Sequence, residues 1–293
     1  MIVAAGLLIS SFARAQQDST LIPDTLERKT LQEVIVRAYE QNRRLADVPA
    51  AIGVLTPAQF NRYSNISIVA AFNSIPGVRM EERSPGSYRL SFRGSTLRSP
   101  FGVRNVKVYL DGIPFTDPGG NTYLTQLAPF NIQSLEVIKG PAGSLYGAGT
   151  GGAVLLQTLP NNWQPGFIAD YSGGSFGSNN INAQVRFGDS NNGNSISFSH
   201  QTSNGYRDHT QLRRDMAIWE SVIKNTGRQT LKSLVSYGDL YYQTPGALTL
   251  AEYNANPKQA RPAAGVNPSA EQSRAAIYQK TFMAAISNEY RFS

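Results

Sequence analysis

Cysteine is absent from the 293 residues. That removes disulfides, iron–sulfur ligation and thiol catalysis at once. Histidine is almost as scarce: His200 and His209 are the only two, and no carboxylate sits near either at a metal-ligand spacing. Charged residues make up 16% of the chain, below the usual quarter, and the 27 basic residues against 20 acidic ones are scattered. Only pairs such as Arg43-Arg44 and Arg213-Arg214 break that scatter, which reads as a solvated surface rather than a nucleic-acid face. Past the first residues no apolar run approaches the ~20 residues a spanning helix needs. If the chain crosses a membrane, it does so with strands.

What is present begins with a short apolar core, Met1 to Ile9, followed by Ala13-Arg14-Ala15 and polar Gln16-Gln17-Asp18. A hydrophobic stretch before an A-x-A site is the pattern of an export signal, so residues 1–15 are expected to be a signal peptide. Residues 16–30 are polar and without period, a flexible leader. Leu31 to Ala38 is a β-prone run inside it. An isolated strand is not stable alone. This one is expected either to await a partner's sheet edge or to open the next domain.

Residues 38–160 read as a small α+β domain. Val48 to Leu55 suggests a strand, and Thr56-Pro57-Ala-Gln59 a capped helix start. Val69, Phe72 and Ile75 share a helical face that Pro76-Gly77 ends. Tyr88, Leu90 and Phe92 alternate with polar residues, as do Val106, Val108 and Leu110. Asp111-Gly112 then makes a hairpin turn into Ile113. Further strands are expected over Ile132 to Lys139 and Ala153 to Thr158.

After Pro160 the pattern changes to longer alternating segments: Phe167 to Tyr171, Ile181 to Phe187, Ser195 to His200 and Tyr278 to Phe292. Residues 213–226 and 229–242 are β-prone but alternate poorly. Segments of ~10 alternating residues separated by turns mark a transmembrane barrel. About six strands fall short of the ~8 of the smallest barrels and the ~22 of plugged ones, so the sequence is expected to be the front part of a longer chain. The polar stretch Gln243 to Ala276 is the candidate long external loop.

Two motifs suggest enzymes. Gly147-x-Gly149-x-x-Gly152 fits a dinucleotide fingerprint, but a strand follows it where a helix is required. Gly173-x-Ser175-x-Gly177 fits a nucleophile elbow, but Ser175 falls in a turn between alternating strands. No catalytic residue, metal ligand or cofactor site is assigned, and no enzyme activity is expected.

Val106 to Pro114, Leu135 to Pro141, Leu145 to Gly147 and Gly151 to Val154, in this order and spacing, resemble the plug domain of TonB-dependent outer-membrane receptors. Leu90 to Gly94 is similar to an earlier plug strand, and Leu31 to Ala38 to the TonB box. The resemblance implies an α+β plug at residues 38–160, preceded by a leader with the box at 16–37. The first strands of a ~22-stranded antiparallel transmembrane barrel would follow at 161–293. It implies TonB as a partner at Glu33, Val34, Ile35 and Val36 by strand addition. Arg93, Glu136 and Lys139 would then be plug–barrel contacts, although Lys139 stands where the family commonly has arginine and lacks the bidentate fork. The location implied is the outer membrane, in contact with its lipid, and the implied activity is import of a scarce ligand.

Pro118 to Gln126 and Tyr253 to Arg261 look most like ferric citrate and related iron-chelate receptors. The leader at 16–30 is too short for the signalling domain of other branches. Arg98, Asn121 and Tyr123 are accordingly expected at the ligand side of the plug, facing an anionic ferric chelate. Import of a non-iron ligand is an alternative, as is a binding or adhesion barrel that needs no box.

Overall fold

The computed structural model describes residues 34–40, 43–64, 66–84, 87–95, 103–225 and 227–292. The expected signal peptide, Glu33 and Arg98 lie outside them. Two small strands come first, β1 (Ile35–Val36) and β2 (Arg43–Arg44), antiparallel to each other over two residues. Next comes β3 (Ile52–Leu55). It leads into helix α1 (Pro57–Phe60), where Thr56 and Gln59 form the expected reciprocal capping box. Helix α2 (Val69–Asn73) follows and buries Ala71 and Phe72.

A hairpin of β4 (Val78–Ser84) and β5 (Ser87–Phe92) is separate from the main plug sheet. β4 escapes a reading of the sequence because Arg79, Glu81, Glu82 and Arg83 crowd its alternation, although Val78 and Met80 are buried.

The main sheet is built from β6 (Val106–Leu110), β7 (Ile113–Pro114), β8 (Ser134–Lys139) and β9 (Gly152–Gln157), with the four-residue helix α3 (Gly143–Tyr146) between the last two. Its order is β3-β8-β9-β6-β7, and only the β6–β9 pair is parallel. The β6–β7 turn places Asp111 at φ 49° and Gly112 at φ 87°, the two positive φ values a type I′ turn requires. At Gly152, φ is 131° and a Cβ would stand 2.0 Å from the Ile138 carbonyl oxygen. β9 can lie against β8 there only because the residue is glycine.

Six strands then form one antiparallel meander: β10 (Gly166–Gly174), β11 (Ser178–Gly188), β12 (Asn192–Ser203), β13 (Leu212–Asn225), β14 (Gln229–Gln243) and β15 (Ala276–Tyr290). Neighbours pair only with neighbours, and the sheet is open at β10 and β15 among the described residues. Ser175 lies in the turn between β10 and β11, as its sequence context requires. Short connections, at 189–191 and between Asn225 and Gln229, mark one end of the sheet. The other end carries the long connections 204–211 and 244–275, together with the turn at 175–177. The last long connection contains α4 (Leu250–Ala255), started by a Thr249–Glu252 capping box.

Inside and outside are inverted relative to a soluble sheet. Asn180, Asn182, Gln184, Ser195, Ser197 and Ser199 are buried against the plug, whereas Ile181, Val185, Ile196, Phe198, Trp219, Phe282 and Ile286 are exposed. A polar interior within an apolar belt is the barrel pattern. Strands β13 and β14 alternate poorly in sequence because their inner faces pack on the plug. Met216, Ile218 and Leu234 join the plug's own hydrophobic core.

On the outer face of the sheet, near its long-loop end, charges form a row across four strands. His200, Asp215, Asp239 and Lys280 stand opposite one another in register. Arg213 bridges the two aspartates, 2.9 Å from Asp239 and hydrogen-bonded to Asp215. The row lies between the cross-strand pair Tyr237/Phe282 and the stacked pair Tyr241/Tyr278.

Candidate functional site

At the short-turn end the N-terminal segment docks on the plug. Ile35 is 60% exposed and Val36 fully buried, so β1 turns one side chain in and one out. Beyond it the backbone is gripped by a side chain. The amide of Arg37 donates to both carboxylate oxygens of Glu136, at 2.9 and 3.0 Å, and the amide of Ala38 donates to Oε2 at 3.0 Å. Tyr39 takes a left-handed φ of 61°, and its amide donates to the Tyr146 hydroxyl at 2.6 Å.

Among the described residues, the hydrogen bonds to Glu136 come from this segment. Glu136 sits on β8 among Leu135, Val137 and Ile138, and its carboxylate turns to the segment that follows β1. Burial pushes its carboxyl above the ordinary range, and the two amides pull it part of the way back. Arg37 itself reaches Asn161 at 2.5 Å. A cavity of about 590 Å³ opens beside this segment, lined by Arg37, Tyr109, Tyr146, Lys224, Lys232 and Glu289 among others.

Arg93, just past β5, and Lys139, at the end of β8, flank Gly77. The contact seen for Lys139 is within the plug, from its Nζ to the Pro76 carbonyl at 3.0 Å. Arg93 has φ 51°, and its amide donates to the Gly77 carbonyl at 2.8 Å. Among the described residues, other side chains join the plug to these six strands. Arg214, buried on β13, donates to the Thr125 carbonyl at 3.3 Å and to Gln201 at 2.6 Å. Asn131 donates to Ser197 at 2.6 Å, Gln201 to the Ile66 carbonyl at 3.3 Å, and Lys232 to the Asp111 carbonyl at 3.2 Å. Thr158 hydrogen-bonds Glu220 of β13, and Gln126 hydrogen-bonds Thr281 of β15. Sequence reading missed all of these, because a buried polar residue on a strand looks like any other alternating polar position.

At the long-loop end two cavities lie where plug and sheet meet. One, of about 370 Å³, is lined by Glu82, Tyr88, Gln201, Arg207 and Arg214 among others. The other, of about 200 Å³, is lined by Tyr88, Tyr123, Tyr242, Tyr278 and Gln279 among others. Tyr88 belongs to both, and burial pushes its phenol up to about 12. Of the expected ligand residues, Tyr123 lines the smaller cavity. Asn121 holds a loop: its amide donates to Asp117 at 2.8 Å, and its side chain accepts from Arg104 at 2.5 Å.

Residues 44–154, which hold both the main sheet and the β4–β5 hairpin, match the family model of the TonB-dependent Receptor Plug Domain. They are a TonB-dependent receptor plug domain. Over 188 residues the chain is 25% identical to the vitamin B12 transporter BtuB of Vibrio vulnificus (strain YJ016), covering 62% of this chain and 29% of that one. The unliganded ferric citrate transporter FecA superposes with a TM-score of 0.67 at 22% identity, over 83% of this chain and 37% of FecA. The ferric yersiniabactin uptake receptor FyuA of Yersinia pestis gives 0.66 at 16% identity, over 83% of this chain and 38% of its own. The chain thus spans 29% to 38% of the length of these relatives. Its fold is that of their plug and first barrel strands.

Within the plug domain, the motif blocks seen in the sequence come together in three dimensions. Val106 to Leu110 and Gly152 to Leu156 are the parallel pair of the sheet, and Leu135 to Lys139 pairs beside them. Gly147 to Gly152 leads into β9 rather than a helix, so it is no nucleotide loop.

Proposed function

We propose that this chain is the front part of an outer-membrane receptor that imports a scarce ligand, driven from the inner side through residues 33–36. One observation carries the reading. A plug seated against polar barrel strands has its N-terminal segment held at one end by Glu136, and has cavities between plug and wall at the other. Long loops mark the outer end of such barrels and short turns the inner one. That orientation sets Ile35 and Val36 toward the inner side, where strand addition by TonB needs an exposed backbone edge. Among the described residues β1 has such an edge, since β2 pairs with only one side of it.

The cargo we favour is an anionic ferric chelate, with Tyr123 in the cavity wall, Asn121 on a neighbouring loop and Arg98 as a further ligand residue. The likeness to FecA and FyuA supports an iron chelate. The 25% identity to a vitamin B12 transporter supports cobalamin as the second reading. The test is growth and uptake with the full-length receptor in a host lacking its own receptors. Ferric citrate and cobalamin are each supplied as the only source, with and without residues 31–38. Uptake of either ligand that disappears with the deletion supports import and identifies the cargo. Ligand binding that survives the deletion with no uptake in either form would leave a binding barrel.

A further inference from the structure

Three oxygen-bearing side chains meet where the plug touches the wall. Asp111 lies in the β6–β7 turn, Glu220 on the inner face of β13, and Thr158 just past β9; all three residues are buried. The Thr158 hydroxyl is within hydrogen-bonding distance of one carboxylate oxygen of Asp111 and one of Glu220. A threonine hydroxyl has one hydrogen, and an ionised carboxylate has none to give. The hydroxyl can donate to one of the two groups. It can accept from the other only if that group carries a proton. With both carboxylates ionised, one contact would set lone pair against lone pair in a buried site, next to a second negative charge.

The geometry points to a one-proton binding site in the chain Asp111–Thr158–Glu220, and this proton fastens the plug to the barrel wall. The surroundings say where it rests. Asp111 also accepts the Thr158 amide at 3.2 Å and a hydrogen bond from the Leu159 backbone. Lys232 of β14, bonded to the Asp111 carbonyl, adds a positive charge beside it. Glu220 has fewer donors: its Oε2 is buried without a hydrogen-bond partner among the described residues. Arg186 of β11 acts on it as a nearby charge but gives its hydrogen bond to Gln184. The adjoining cavity adds Arg37, Lys224, Glu289 and Arg291 at its margin. Asp111 is therefore the anion, and Glu220 carries the proton that it donates to Thr158. Two macroscopic steps belong to the pair as a whole.

The sign follows. A carboxyl that keeps its proton only in the docked plug binds one proton more than the undocked state, so docking weakens as pH rises and that proton leaves. This inference is independent of the imported ligand and of TonB. The test is infrared spectroscopy of the full-length receptor in lipid nanodiscs. At neutral pH the wild type should show a protonated-carboxyl C=O band that Glu220→Gln lacks and that disappears reversibly on alkaline titration. Amide exchange at residues 111–113 and 157–159 is the second readout, corrected for intrinsic base catalysis. Between the ordinary carboxyl range and the pH at which the band disappears, wild-type protection should fall about tenfold for each pH unit, and above that pH it should level off. Glu220→Gln, whose amide donates to Thr158 without titrating, should stay flat. If Glu220→Gln does not fold, the reversible wild-type band decides alone. No band in the wild type, or equal exchange slopes in the two proteins, overturns the proposal.

Discussion

Replacing Glu136 with glutamine keeps the shape of the side chain and removes half of its grip. In the native plug one carboxylate receives the Arg37 amide on both oxygens and the Ala38 amide on Oε2. Glutamine has a single acceptor oxygen, and its NH₂ would face an amide N–H. A hydrogen bond to a charged group contributes about 1.5–3 kcal/mol, and a buried donor left without a partner costs about 1–3 kcal/mol. Ala38 is fully buried, so no water stands in for the lost acceptor. Taking ~3 kcal/mol for the sum, and tenfold per 1.4 kcal/mol, residues 36–39 should be released roughly 100-fold more often. Amide hydrogen exchange of the full-length receptor reads this directly. Protection at residues 36–39 should drop by about two orders of magnitude while that of Val137 and Val154 in the sheet stays within a few-fold. A change below threefold at 36–39, with the sheet intact, would refute the idea that Glu136 holds the segment. Equal loss in both places would mean that Glu136 supports the sheet instead.

Other outcomes follow from the same structure. Gly152→Ala would drive a Cβ into the Ile138 carbonyl and hold alanine at a φ of 131°, so it should destabilise the plug by more than about 3 kcal/mol and lower its thermal midpoint. Arg214→Ala strips Gln201 and the Thr125 carbonyl of their buried donor. It should cost about 3–5 kcal/mol, seen as faster exchange at Leu90 and Phe92 in the hairpin beneath. The Tyr88 phenol, pushed up to about 12, favours the fold while neutral. That contribution is complete below the ordinary tyrosine range near 10 and disappears as pH rises through about 12, which ultraviolet titration of wild type against Tyr88→Phe should display.

Much of this architecture was legible because periodicity and turn chemistry act locally. The Thr56–Gln59 capping box, the Asp111–Gly112 turn and the strict alternation of Ile181 to Phe187 all formed as read. What stayed hidden depends on contacts far apart in sequence. β4 was masked by its charges, and the alternation of β13 and β14, which read only as β-prone, was blurred by inner faces that pack on plug residues the strands themselves do not announce. The resemblance implied a wall contact for Glu136, and its grip on the N-terminal segment was not legible. Only the fold shows that 99 residues earlier a pair of amides needs an acceptor. Tyr123 lines a cavity between plug and sheet, and Asn121 is engaged by Asp117 and Arg104 in a turn no motif revealed.

The row of charges from His200 to Lys280 sets a depth mark. It sits one pleat outside the Tyr237/Phe282 pair, so a barrel that slid inward by a single pleat, roughly 7 Å for two residues, would carry Arg213, Asp215, Asp239 and Lys280 toward hydrocarbon. Each basic residue at the midplane costs about 2–4 kcal/mol, and less near the interface, so the bilayer resists the slide with a stiff restoring force. Under the proposed coupling, traction on residues 35–39 would meet a wall that stays level, and the displacement would be confined to the plug.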